Sequence, residues 1–112
     1  MKIEQVKHSL WMNGVNPETI DAFVKAFQES PEVWFEFEKL ALYVIQRGKR
    51  VGAMAIVNKL RWEVEIEGSG DWKVNNNWAP YYARVFELKH PKFAGYFEKR
   101  AIKGLESANV GN

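Results

Sequence analysis

Along most of the chain, apolar residues recur three and four positions apart, the period of an amphipathic helix. Ile3, Val6 and Leu10, with the Lys7 stem at the edge of the same face, predict a helix over 2–12. Asn13-Gly14 is a natural stop, because both residues tolerate the left-handed conformation. Asn16-Pro17-Glu18 starts a second helix: Asn16 caps, Pro17 has no N–H to leave unpaired, and Glu18 suits the positive dipole end. Ile20, Phe23, Val24 and Phe27 form its apolar face. Ser30-Pro31-Glu32 repeats the signal, with Ser30 the expected cap of a third helix over 31–46. Val33, Phe37, Leu40, Ala41 and Val44 line one face of that helix. Trp34, Phe35, Leu42, Tyr43 and Ile45 make it apolar nearly all round, the pattern of a central, most buried helix.

Gly48 ends the third helix, and Ala53, Ile56, Val57 and Leu60 predict a fourth over about 51–60. The period then changes. Trp62, Val64 and Ile66 alternate with Glu63, Glu65 and Glu67, which reads as a strand with one wet face. Gly68-Ser69-Gly70-Asp71 is a turn, and 62–67 with 71–75 predict a β-hairpin. A helix continued to about Glu65 is the alternative. Asn75-Asn76-Asn77 precedes a fifth helix, with Asn76 or Asn77 as its cap, Pro80 in its first turn and an apolar stripe of Trp78, Tyr81, Tyr82, Val85 and Phe86. Pro91 opens a sixth, with Phe93, Tyr96, Phe97 and Ala101 on one side and Gly104 as its end. The expected fold is mainly α (α+β): a compact single-domain bundle of five to six helices with one small β-hairpin. The domain covers 1–104, and 105–112 is a flexible tail.

Composition narrows the function. The 112 residues are 46% hydrophobic and 27% charged, with seven Phe, five Trp and four Tyr, so there is ample material for one core. The charges in Lys2, Glu4 and Lys7 argue against a signal peptide, and no apolar run reaches the roughly 20 residues of a membrane helix. A cytoplasmic chain with no membrane contact is expected. No Cys is present, which removes disulfides, thiol nucleophiles and thiolate metal sites.

Catalysis has little to work with. His8 and His90 lie in different helices without local partners, and His90 suits a helix C-terminus. None of Ser9, Ser30, Ser69 and Ser107 has a nucleophile-elbow context. No metal-ligand spacing occurs, so no metal is expected. Gly68-Ser69-Gly70 lacks the Lys and the strand-to-helix setting of a phosphate loop, and no cofactor is expected. Glu63, Glu65 and Glu67 read as a solvated face. The chain is therefore not expected to be an enzyme.

The distribution of charge says more than its total of +2. Arg47, Lys49, Arg50, Lys59 and Arg61 follow one another without an intervening acid, and Glu63, Glu65, Glu67 and Asp71 follow without a base. Clustered cations attract phosphates by counterion release. Lys49, Arg50, Lys59 and Arg61 are the expected phosphate contacts, and a helix, a basic turn, a second helix and a hairpin is the order of a winged-helix domain. The acidic residues flanking that wing count against it. The alternative reader is the helix after Asn77, which offers Asn75, Asn76, Asn77, Arg84 and Lys89, with the hairpin inserted between the two helices of a helix-turn-helix-like unit.

Val74-Asn75-Asn76-Asn77-Trp78-Ala79-Pro80-Tyr81-Tyr82-Ala83-Arg84, with His90-Pro91-Lys92-Phe93-Ala94-Gly95-Tyr96-Phe97-Glu98-Lys99-Arg100 after it, resembles a block found in small uncharacterised bacteriophage and prophage proteins. The segment from Gly48 to Trp62 is similar too, so the resemblance covers about half of the chain. It implies a phage or prophage origin and assigns no site. The leading expectation is a non-catalytic nucleic-acid-binding protein. The alternative is a protein-binding accessory factor that docks on a host or phage protein. A continuous positive face would favour the first and dispersed charges the second; oligomeric state is not fixed by the sequence.

Overall fold

The computed structural model describes residues 2–97. Five α-helices follow one another: α1 (Ile3–Met12), α2 (Pro17–Glu29), α3 (Pro31–Gln46), α4 (Ala53–Glu65) and α5 (Ala79–Lys89). Short 3-10 turns at Asn76–Trp78 and Pro91–Phe93 flank α5. The helical bundle is as the periodicity predicts, and among the described residues there is no strand.

Local signals set most boundaries. Gly14, at φ 86°, turns the chain out of α1, while the Val15 N–H returns to the Leu10 carbonyl. Asn16 Oδ1 accepts from the Thr19 N–H at 2.9 Å, capping α2 directly before Pro17. Ser30 does not act as the expected cap. It ends α2 and precedes α3 at φ −131° and ψ 69°, and its side chain makes no capping bond. Asn76 and Asn77 do not cap α5 either. Asn75 Oδ1 accepts from the Asn77 N–H at 2.9 Å, so the cap belongs to the 3-10 turn that leads into α5.

The predicted hairpin, and with it the wing of a winged-helix domain, is replaced by a longer α4. Ile66 N–H bonds to the Trp62 carbonyl at 2.8 Å, continuing the helical ladder past the expected end. The i,i+4 pairs Lys59–Glu63 at 3.3 Å and Arg61–Glu65 at 2.8 Å lie along that ladder. Ser69 Oγ closes the end by donating to the Glu63 carbonyl at 2.8 Å. A strand would need Trp62 and Ile66 on a buried face, and both stand in water. Residues 71–75 keep the alternation without a partner strand: Trp72 and Val74 pack on the core, while Asp71, Lys73 and Asn75 face out.

The central helix is α5 rather than α3. It buries Ala79, Tyr81, Tyr82, Ala83, Val85 and Phe86 and touches α1, α3 and α4. Phe23 meets Tyr81 and Tyr82 at 5.5 and 5.2 Å between ring centres, and Phe37 meets Tyr82 and Phe97 at 5.6 Å each. Each fully buried side chain of this size contributes about 1.5–3 kcal/mol from area alone. On α3 only Val33, Trp34, Phe37 and Ala41 are fully buried, so part of its apolar surface is left over.

The sixth helix does not begin at Pro91. After the 3-10 turn, Ala94 is extended and Gly95 has φ 86°, which breaks the helical path. Its expected remainder and the 105–112 tail lie outside the described residues.

Candidate functional site

The cations and asparagines predicted to bind nucleic acid do not form one group. Lys49 and Arg50 lie exposed in the connection between α3 and α4. That connection is tied down from behind: Tyr96 Oη donates to the Lys49 carbonyl at 2.9 Å, and the Arg50 guanidinium lies 5.5 Å from the Tyr96 ring centre. Arg47 covers the Tyr43 ring at 3.5 Å and donates to the Tyr43 carbonyl. Lys59 and Arg61 stand on α4, each bonded to the glutamate one turn on. Lys89 bonds to Glu38 at 2.8 Å. Asn75 serves the 3-10 turn, and Asn76 Nδ2 donates to Asn58 Oδ1 at 2.8 Å. Arg84 lines a shallow hollow of about 240 Å³ with Ser9, Asn13, Glu87 and Leu88, between α1 and α5. The structure thus brings Lys49 and Arg50 together and distributes the others among neighbours of their own.

Sequence spacing gave no hint of the cluster around Glu38. Its carboxylate, 14% exposed, accepts from Lys89 Nζ and lies 2.6 Å from His90 Nε2. Burial alone would raise its pKa. The hydrogen bonds from Lys89 and His90, together with their charges, outweigh burial and hold the carboxyl below its ordinary range. The Phe86 ring backs His90 at 4.7 Å. The arrangement ties α3 to the end of α5. Elsewhere in the core, burial pushes the Tyr82 hydroxyl far above its usual range; it raises Tyr81 too, against the opposing charge of Arg84. Among the described residues no three His, Asp or Glu side chains group as metal ligands. No described helix is long and apolar enough to cross a membrane.

The surplus apolar surface of α3 meets that of α4 at a groove of about 380 Å³ lined by Glu36, Lys39, Leu40 and Tyr43 on one side and Lys59, Leu60 and Glu63 on the other. Helical spacing places further apolar residues beside it. Phe35 lies one turn before Lys39, Trp62 three residues after Lys59, and Ile66 three after Glu63. Phe35 is 60% exposed, Tyr43 51%, Trp62 58% and Ile66 64%. A second hollow, of about 280 Å³, lies between α1 and α2 and includes His8, Trp11 and Ile20. The all-round apolar pattern of α3 was the signal for the larger surface, though it reads equally as deep burial.

Compared with family models, curated proteins and solved structures, the chain matches none.

Proposed function

We propose that the chain is a non-catalytic, protein-binding accessory factor that docks through the α3–α4 face. The observation that carries this reading is the groove between α3 and α4, whose lining includes the exposed Tyr43, together with Phe35, Trp62 and Ile66, which are more than half exposed on or directly after the same two helices. Monomeric proteins rarely leave a contiguous apolar patch larger than a few hundred Å² in water, and larger patches with a polar rim mark interaction sites. Aromatic anchors surrounded by charged residues are the usual make-up of a protein interface. A phage or prophage origin, which the resemblance implies, would put such a factor to work in the cytoplasm of an infected host. The test is a photo-crosslinking residue placed in turn at Phe35, Trp62 and, as a control on α2, Lys25, in cells that express the chain. Protein adducts at the first two positions and none at Lys25 support the reading. Equal labelling at all three removes it.

Nucleic-acid binding is the second reading, and the exposed Arg47, Lys49 and Arg50 connection favours it. In that reading α3, the basic turn and α4 act as a helix-turn-helix-like unit, and Lys49 and Arg50 hold phosphates. Substituting both by Gln should lower the salt slope of DNA binding by about two, because each phosphate contact contributes about 0.9. No retention of mixed-sequence DNA or RNA at low salt removes this reading.

A further inference from the structure

We infer that the open end of the α3–α4 hairpin takes a basic amphipathic segment of another protein, with its apolar side chains on Phe35, Trp62 and Ile66 and its lysines or arginines on Glu32 and Glu67. The inference rests on the protein-docking reading and names the chemistry of the partner.

Position is the first support. α3 and α4 pack side by side and are joined by six residues, 47–52, so they run antiparallel. The first turns of α3 therefore lie beside the last turn of α4. Glu32, Phe35 and Lys39 follow one another along α3 at helical spacing. Lys59, Trp62 and Ile66 do the same along α4, and Glu67 comes directly after. Phe35, Trp62 and Ile66 thus share one end of the hairpin with Glu32 and Glu67. Lys39, Lys59 and Glu63 lead from that end into the groove, whose lining includes Leu40 and Leu60.

Charge selects the partner. α3 and α4 hold three cations between them, and each is engaged: Lys39 with Glu36 at 3.1 Å, Lys59 with Glu63 at 3.3 Å and Arg61 with Glu65 at 2.8 Å. Glu38, the remaining acid of α3 besides Glu32, is held by Lys89 and His90. Glu32 and Glu67 are exposed, and among the described residues neither has an ion-pair partner. The two charges left over are therefore both negative, and both stand beside the exposed apolar groups. α4 also has no base in its last turn, where the negative pole of its dipole favours one. Glu67 adds to that pole. A lysine or arginine supplied by a partner satisfies the carboxylate and the dipole together.

Size points to a segment rather than a folded domain. Full burial of a large aromatic side chain covers about 150–250 Å², so Phe35, Trp62 and Ile66, each about three-fifths exposed, present roughly 300 Å² of apolar surface. A standard interface between folded proteins takes about 800 Å² from each side. An amphipathic helix laid along a groove needs only a few apolar anchors on one face, with its charges at the rim.

The test uses two synthetic peptides of about five helical turns. Both carry leucine at i, i+3, i+4 and i+7 spacing; one has lysine at the other positions and its counterpart has glutamate. Fluorescence anisotropy with the full chain should show the lysine peptide bound at least about tenfold more tightly than the glutamate peptide, and weakened as salt rises. Glu32→Gln with Glu67→Gln should weaken the lysine peptide about fivefold, because each exposed charge pair contributes little alone. Glu32→Asp with Glu67→Asp should keep it. Phe35→Ser with Trp62→Ser should weaken it at least about tenfold. All four side chains are exposed, so folding should survive, and a thermal melt monitors it. Equal binding of the two peptides, binding of neither, or a lysine peptide indifferent to these variants overturns the inference. So do photo-crosslinks from Phe35 or Trp62 that land on the chain itself, within one copy or between two. If the lysine peptide fails while Phe35 and Trp62 still crosslink to another protein in cells, docking stands and only the chemistry of the partner is wrong.

Discussion

Glu38 Oε2 lies 2.6 Å from His90 Nε2, joining the middle of α3 to the residue that ends α5 across 52 positions of sequence. Lys89 bonds to the same oxygen at 2.8 Å, so one carboxylate holds two neighbouring side chains.

That carboxylate should make stability depend on acid pH. Its folded pKa is lowered from the ordinary 4.5 because the bonds from Lys89 and His90 outweigh burial. The stabilisation is present in full above the unfolded value and is lost as pH falls through the folded one. Glu38→Gln should cost about 1.5–3 kcal/mol at neutral pH, the range for hydrogen bonds to charged groups. Urea melts of native and variant chains should converge below the carboxylate range. A gap that stays constant with pH would mean that the charge on Glu38 contributes nothing.

Phe35 and Phe37 are the same residue type two positions apart, with opposite fates. Phe37 is wholly buried between Tyr82, Phe97 and Trp34, and Phe35 stands in water. Phe37→Ala should cost about 3–5 kcal/mol. Phe35→Ala should stay within about 0.5 kcal/mol when measured on dilute, monomeric chain. Equal losses at both positions would place the α3 face inside the core and leave no docking surface.

This pair also shows what the sequence could and could not tell. The Asn16 cap and the Pro17 and Pro31 starts depend on neighbouring residues, and both helices begin where those signals stand. Burial depends on what packs opposite. An all-round apolar α3 reads as central until α5 is seen to take that place. Trp62, Val64 and Ile66 fit period two, but the Lys59–Glu63 and Arg61–Glu65 spacing in the same stretch fits a helix, and the exposure of Trp62 and Ile66 decides between them. The same i,i+4 spacing explains why two of the predicted phosphate contacts are already engaged. Nothing local could have joined Glu38 to His90.

The cap before α5 separates three adjacent asparagines. Asn75 accepts from the Asn77 backbone, Asn76 bonds to Asn58 on α4, and Asn77 lends only its N–H. Asn75→Ala should cost about 1 kcal/mol, and Asn77→Ala much less. A thermal melt in which Asn77→Ala is the more damaging change would return the cap to the helix itself.

Gly48 gives a test of the turn that aims Lys49 and Arg50. It sits at φ 67°, in the left-handed region, and bonds to the Ile45 carbonyl at 2.9 Å as the chain leaves α3. A Cβ placed there would meet nothing within 4 Å, so any cost of a side chain comes from the backbone alone. For an L-residue with a Cβ that cost is about 1–2 kcal/mol. Gly48→Ala should therefore lower stability by about that amount, and Gly48→Asn by less, because asparagine tolerates the left-handed region through its own local hydrogen bonding. The order of the two variants in a urea melt is the decisive reading. Steric crowding would make the larger asparagine worse, whereas backbone strain makes alanine worse. If neither variant loses stability, the chain leaves α3 without a left-handed residue and the connection takes another path.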